Sequence, residues 1–317
     1  MRLIANDSLE VLRKCNYPYN EKLDAFVSDN LYLSVVATNT CQMKCPYCIN
    51  SNTDSSLNMP LEEAKKNISK AVYDLGIKEA VILGGEPTLY PDLLELIRFL
   101  KDKANLRRVG ITTNGIRLKE SPRLITDMIN AGIDFLNISY HKEGQFLTYK
   151  DLIDIRGRFL QDTTPGMQKM RINTNVWKGN HDTLPELTAF LRKISNVCDE
   201  IRVSNIIRKD GFSVNPVNNP EADKMFMEDW EYEDLFTLLI RTYAPNVTVI
   251  HNEEALGFVN YYLIPTATPV IVNWNIDSKV GEQICENDLT GRRIHTVKCL
   301  VNGKISLSWN KNNIIIY

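Results

Sequence analysis

LYLSVVATNTCQMKCPYCIN, residues 31–50, joins a short β-prone run to a loop holding three of the chain's seven cysteines. LYLSVVA (31–37) reads as a strand, and Thr38-Asn39-Thr40 breaks it. Cys41, Cys45 and Cys48 follow as CxxxCxxC. A loop at a strand end can bring three thiolates to one metal centre. Random placement of so few cysteines would give this spacing in on the order of a few chains per thousand. A [4Fe-4S] cube normally takes four thiolates, so three close ones leave one iron for an outside ligand. The competing readings are a zinc site completed by a histidine, or three incidental thiols; no further CxxC or HxxxH lies nearby to complete zinc's tetrahedron.

Working outward, β-prone runs recur at 79–85, 107–113, 134–140, 170–176 and 200–206, separated by segments with helical spacing. MPLEEAKKNISKAVYDLG has Pro60 near its start and Gly76 at its end, and PDLLELIRFLKDK repeats apolar residues every three or four positions. Six strand-helix units are too few for an eight-unit closed barrel, so the predicted fold class is α/β, an incomplete (β/α)6 barrel open on one side. The second strand ends in GGEPTL, about 36 residues beyond the cysteine loop. Gly84 and Gly85 would let backbone approach a ligand closely, and Glu86 offers an acceptor for an ammonium group. Alone, Gly84-Gly85-Glu86-Pro87 is better read as a strand-to-helix turn.

Together the two motifs resemble those of the radical S-adenosylmethionine (SAM) superfamily, whose CxxxCxΦC loop follows the first strand of a partial (β/α)6 barrel. Tyr47 fills the aromatic position, and the resemblance covers roughly residues 31–208. It implies one [4Fe-4S] cluster on Cys41, Cys45 and Cys48, with SAM chelated to the open iron and Gly84, Gly85 and Glu86 at its amine. It further implies that Thr113 and Asn114 of TTNG, together with Ser139, Asn175 and Val176, contact SAM. The arginine many relatives carry after the serine-bearing strand has no counterpart, since Arg156 and Arg158 sit late. The implied chemistry is reductive cleavage of SAM to a 5′-deoxyadenosyl radical that takes hydrogen from a substrate, with a flavodoxin or ferredoxin as electron donor.

Strand parity assigns faces. Phe135, Asn137, Ser139 and His141 share one face; so do Arg171, Asn173, Asn175 and Trp177, and so do Arg202 and Ser204. Three strands turning polar residues the same way predict a polar cavity, where a packed barrel would use branched apolar side chains. His141, beyond Ser139 on that face, is the candidate to bind or deprotonate substrate; a hydrogen-bonded loop histidine is the alternative. Cys15, Cys198, Cys285 and Cys299 are dispersed. One of Cys198, Cys285 or Cys299 is a candidate hydrogen-atom donor, against the plainer reading of buried inert thiols.

Beyond residue 208 the pattern changes to an Asn/Pro-rich loop, the amphipathic EYEDLFTLLIRTYA, and β-like runs with Asn302-Gly303 as a type I′ hairpin turn. The expected organisation is therefore an N-terminal extension (1–30), the barrel (31–208) and a C-terminal substrate-capping extension (209–317). That extension resembles a degenerate SPASM or twitch region. It lacks the cysteine triad of a molybdenum-cofactor cyclase's second cluster.

Thirty-seven basic against 39 acidic residues form no cationic track, which argues against nucleic acid. No apolar run reaches a membrane span and the N-terminus carries no signal-peptide pattern, so the expected location is cytoplasmic. The leading expectation is a single-cluster enzyme acting on a small metabolite or natural-product precursor. The alternatives are a peptide-modifying radical SAM enzyme and, from another class, a non-catalytic Fe-S or zinc-binding protein. Only about 30 residues precede the barrel, short for a separate leader-peptide domain.

Overall fold

Six β-prone runs become six parallel strands. In the computed structural model, residues 19–20, 25–48, 53–161, 169–206, 220–243, 247–253, 258–263, 270–275, 292–307 and 315–317 are described. After a two-residue β1 (Tyr19–Asn20) come β2 (Ala25–Thr38), β3 (Glu79–Gly84), β4 (Arg108–Thr113), β5 (Phe135–Ser139), β6 (Lys169–Val176) and β7 (Glu200–Asn205). Strands β2 to β7 pair in parallel, each with the next in sequence. Helices α1 (Leu61–Leu75), α2 (Leu93–Arg98), α3 (Ile116–Glu120), α4 (Arg123–Ala131), α5 (Tyr149–Gln161) and α6 (Leu184–Ile194) fill the crossovers.

The core lies between strands and helices. Ile82, Ile111, Ile138, Ile172, Ile201 and Val203 are fully buried on the helix-facing side of successive strands, each such side chain stabilising by roughly 1.5–3 kcal/mol. Helix α1 buries Leu61, Ala64, Ile68 and Ala71 along one stripe, and Gly76, at φ 66°, closes it by donating to Val72 O. The helix predicted over PDLLELIRFLKDK changes pitch: after Arg98 the turn Phe99–Lys103 is a π-helix, and Ala104 N donates to Phe99 O at 2.9 Å. The wider turn keeps Phe99, Leu100 and Ala104 buried with Leu96 and Ile97.

The C-terminal region holds α7 (Pro220–Met225), α8 (Asp229–Tyr243), β8 (Val247–Glu253), β9 (Phe258–Leu263), β10 (Val270–Asn275), β11 (Arg292–Cys299) and β12 (Ile305–Ser306). Its strands join the same sheet at both edges, in the order β12-β11-β2-β3-β4-β5-β6-β7-β10-β9-β8. β10 runs parallel to β7, and β11 runs parallel to β2. β2 starts at Ala25, six residues before the predicted run, because β11 pairs with Ala25–Val27 as well as with Tyr32–Val35.

The predicted type I′ turn is corrected. Gly303 N donates to Leu300 O at 2.8 Å and Leu300 N to Lys304 O at 2.9 Å. Gly303 has φ 80° while Asn302 does not have a positive φ. Val301 and Asn302 are thus the centre of the turn and Gly303 its left-handed closing residue, a three-residue loop where type I′ needs two consecutive positive φ angles.

Candidate active site

The cysteine loop leaves β2 between two backbones. On one side Asn39 N donates to Leu57 O and Met59 N to Ala37 O, both at 2.9 Å, while Thr40 Oγ1 donates to Ser55 O at 2.8 Å. On the other side Gly85 N donates to Thr38 O at 2.6 Å and Glu86 N to Thr40 O at 2.7 Å. A Cβ on Gly85 would stand 2.5 Å from the carbonyl oxygens of Asn39 and Thr40, and one on Gly84 would stand 2.2 Å from Thr38 O. The two glycines therefore admit the protein's own cysteine loop, a tighter demand than the ligand approach expected from sequence.

Cys41, Cys45 and Cys48 are half-buried free thiols. Cys48 N donates to Cys45 O at 3.0 Å, and Met43 N points at Cys41 Sγ at 3.4 Å. Burial, then Glu86 and Cys48, raise the Cys41 thiol, and burial together with Cys48 and Cys41 takes Cys45 up to about 11. Mutual repulsion of thiolates is what a shared multivalent iron centre would reverse, since ligation deprotonates a thiol outright. Among the described residues no three His, Cys, Asp or Glu side chains already close around one point, so iron would draw these thiols inward. The donor set, three thiolates in one loop, fits a cube with one protein-free iron.

Glu86 lies two residues beyond β3, at the start of the 3-10 turn Pro87–Leu89, and is almost wholly buried. Its Oε1 accepts from Thr88 N at 3.1 Å, Thr88 Oγ1 at 2.5 Å and Thr113 Oγ1 at 2.6 Å, and its Oε2 accepts from Asn114 N at 2.8 Å. Burial pushes its carboxyl above the usual range while these four donors pull it back. Asn114 Oδ1 in turn accepts from Ile116 N at 3.0 Å and, at a long 3.4 Å, from Gln42 Nε2 beside Cys41. The residues expected at SAM's amine and ribose are here bonded to each other.

The lumen follows the parity argument. Leu136, Ile138, Ile172, Thr174, Val176, Ile201 and Val203 are buried on the helix side, leaving Asn137, Ser139, Arg171, Asn173, Asn175, Arg202 and Ser204 on the other face. Asn137 Nδ2 donates to Thr112 Oγ1 at 3.2 Å, and the amide oxygens of Asn137 and Asn173 are buried without a hydrogen-bond partner. Val176, expected at SAM, turns its side chain into the core against the helices, because it lies one residue off the lumen parity; its backbone alone could face a ligand. Arg156, late on α5, is bound to Asp199 through both terminal nitrogens.

His141 is held within the fold. Its Nδ1 accepts from Asn175 N at 2.9 Å, and its carbonyl oxygen meets Asn180 Nδ2 at 3.1 Å and His181 Nε2 at 2.9 Å. Tyr47, Phe146 and Trp177 surround the imidazole with centroids at 5.6, 5.9 and 5.9 Å. Burial, then His181, lowers its pKa to about 3. The ring is neutral, its proton is on Nε2, and its lone pair is spent on Asn175. Tyr47 packs 5.2 Å from Trp177 and accepts from Gln145 Nε2 at 2.8 Å. Gln145, Asn180 and His181 were not singled out by sequence, because their partners are brought in by tertiary contact from strand ends.

Cys299 is also corrected. It pairs in register with Val35 on the helix side of the sheet and is fully buried, with its Sγ 3.6 Å from Met59 Sδ. Burial raises the thiol to about 12, and the sheet stands between it and the lumen, so it cannot hand a hydrogen atom to a lumen radical. Cys198 is buried with its thiol on Ile194 O. Cys15 and Cys285 lie outside the described residues.

Residues 35–194, half of the chain, match the family described as the radical SAM superfamily. The chain belongs to that superfamily. As a radical SAM enzyme it uses a [4Fe-4S] cluster and SAM. GTP 3′,8-cyclase of Campylobacter jejuni is 32% identical over 178 residues, 54% of this chain and 55% of that protein. A probable GTP 3′,8-cyclase of Methanothermobacter marburgensis is 25% identical over 197 residues, 60% of this chain and 62% of its own length. The chain thus matches little more than half of these relatives.

SuiB of Streptococcus suis bound to S-adenosylmethionine has a TM-score of 0.58 at 16% identity, covering 93% of this chain and 61% of that one. The same protein bound to precursor peptide SuiA gives 0.57 at 17% identity, with the same coverage. Such likeness shows the fold alone. Among the described residues, no helix of this radical SAM enzyme is long and apolar enough to cross a membrane.

Proposed function

We propose that this radical SAM enzyme holds one cluster on Cys41, Cys45 and Cys48 and abstracts hydrogen from a small polar metabolite bound in the lumen. The observation that carries this is the lumen face of β5, β6 and β7, where Asn137, Ser139, Asn173, Asn175, Arg202 and Ser204 stand in place of branched apolar packing. With iron and SAM bound, the site supplies a 5′-deoxyadenosyl radical, and the residues of this chain hold and aim it. Ser139 and Asn175, half-buried at the ends of β5 and β6, are the residues we assign to SAM contact. Names among the sequence relatives point to small-molecule chemistry, which supports this reading over a peptide substrate. A flavodoxin- or ferredoxin-type protein would deliver the electron.

The test is anaerobic reconstitution with dithionite and SAM. The protein should take up about four irons per chain and release 5′-deoxyadenosine, and Cys45→Ala should lose both. Deuterium from a labelled small-molecule substrate should appear in the 5′-deoxyadenosine. An intact cluster whose spectrum ignores SAM, or about eight irons per chain, would overturn the proposal. Turnover of peptides alone would overturn the substrate class.

A further inference from the structure

Burial alternates residue by residue along β6 and β7. Met170, Ile172, Thr174 and Val176 are buried while Arg171, Asn173 and Asn175 are half-buried, and Glu200, Arg202 and Ser204 alternate in the same way with Ile201 and Val203. The helices take one face, so the residual exposure is toward the lumen. Register sets Ser139 beside Asn173 and Asn173 beside Arg202. The same level continues outward through Asn273 of β10, Asn260 of β9 and His251 of β8. Six neighbouring strands thus place a polar residue at one level, with one arginine among them. One level further from the cysteine end, Asn137 stands beside Arg171, and Arg171 beside Glu200. Arg171 Nη1 meets Glu200 Oε1 at a long 3.4 Å. Arg171 Nε and the amide oxygens of Asn137 and Asn173 are buried without a hydrogen-bond partner, so their desolvation is not recovered within the chain. Burial, then the like charge of Arg171, holds Arg202 below the ordinary arginine range in spite of Tyr32, Glu200 and Tyr232. A guanidinium keeps its proton at physiological pH, so an acceptor of negative charge is what this corner suits.

We infer that Arg202, with Arg171 and Asn173 beside it, binds the anionic group of the substrate, which is therefore a small metabolite carrying a carboxylate or a phosphate. The inference rests on the proposed function and narrows its substrate class. A planar guanidinium meets either anion through two parallel N–H donors. Asn175 and Ser204 lie two residues nearer the cysteine end, about 7 Å along the strands. An anion seated on Arg202 leaves the rest of a small substrate at the level of Asn175, the residue assigned to SAM contact, where a C–H bond can meet the radical.

The test uses the anaerobically reconstituted full chain with SAM bound, titrated with sodium phosphate and, separately, sodium acetate at constant ionic strength. Binding is read by calorimetry and by protection of Arg202 from phenylglyoxal, mapped by mass spectrometry. Wild type should bind at least one of the two anions in the millimolar range, and the tighter of them tells a phosphate ester from a carboxylic acid. Arg202→Gln should weaken that binding by about tenfold or more, as loss of a charge-assisted hydrogen bond does. Arg171→Gln and Arg202→Lys should weaken it by smaller factors, the lysine because it keeps the charge and loses the fork. Arg123→Gln, at an exposed helix position, should match wild type. The change SAM induces in the electron paramagnetic resonance spectrum of the reduced cluster should be the same in every variant.

No saturable binding of either anion, or equal binding by Arg202→Gln, would overturn the inference. Loss of the SAM-induced spectral change in Arg202→Gln would overturn it as well, by assigning the guanidinium to SAM's own carboxylate. Should Arg202→Gln fail to fold, Arg202→Lys and Arg171→Gln decide the matter, and wild-type binding in both sinks the idea. A wild-type cluster blind to SAM defeats the proposed function instead; the arginine site is then judged by anion binding to the reconstituted chain, which Arg202→Gln should still weaken.

Discussion

His141 sits inside three aromatic rings with its Nδ1 on a backbone N–H, and that placement makes it an acid-labile part of the fold. Its folded pKa of about 3 lies below the unfolded value of about 6.5. Below pH 6.5 the unfolded chain therefore binds a proton that the folded chain refuses. Stability from this residue is complete above about pH 6.5 and falls as pH drops toward 3, by up to about 1.4 kcal/mol per pH unit. His181, also lowered by burial, adds a slope of the same sign. Urea midpoints of the iron-free protein should drop between pH 7 and 5, and His141→Phe should flatten much of that drop. An unchanged slope in the variant would count against a buried neutral imidazole. A role as substrate base predicts a different result, an acidic limb in the turnover profile that His141→Phe abolishes.

Backbones meet closely where the end of β3 crosses the cysteine loop. Gly85→Ala would push a methyl group into two carbonyl oxygens, and backbone on both sides is already hydrogen-bonded. The expected cost is about 1–3 kcal/mol, with iron uptake falling more steeply than thermal stability because the loop that must move carries Cys41. Iron content of Gly85→Ala against its melting temperature checks this; full iron loading would mean the loop yields without cost. The helix-side counterpart is the turn after β11: Gly303 O accepts from Asn67 Nδ2 of α1 at 3.0 Å. Gly303→Val should loosen this hairpin, by about 1 kcal/mol for a β-branched residue forced to positive φ. Urea denaturation of that variant reads the loss.

On the scale of the molecule, the C-terminal strands close the flanks of the sheet. β11 covers β2 from Ala25 to Val35, and Ser34 Oγ and Thr296 Oγ1 lie 3.4 Å apart across the pair. The fully buried Lys298 donates to Leu307 O at 2.9 Å and to Thr296 O at 3.3 Å. We propose that the described C-terminal strands β8 to β12 are an integral part of the barrel sheet. Truncation after residue 291 would strip β2 of its neighbour and leave a long open edge. Size-exclusion chromatography should then show aggregates. A monodisperse, iron-binding truncated protein would show that the barrel stands without β11.

The six strand-helix units, the cysteine loop, the glycine turn and the polar lumen parity were legible in the sequence because each is local. Period-two alternation places Asn137, Asn173 and Arg202 on one face, whatever surrounds them. Pro60 and Gly76 mark the ends of α1 by φ preference alone, and cysteine spacing is arithmetic. Tertiary structure decided which groups are already spent. Glu86 looks free in sequence and is bound by four donors from two elements. His141 looks basic and is neutral among rings from the residue after β6 and from two loops. Cys299 looks available and is one residue out of phase with the lumen. The length of β2 depended on a strand more than 250 residues away. Hydrogen bonding and desolvation depend on neighbours in space, and a linear pattern of residue types does not specify them.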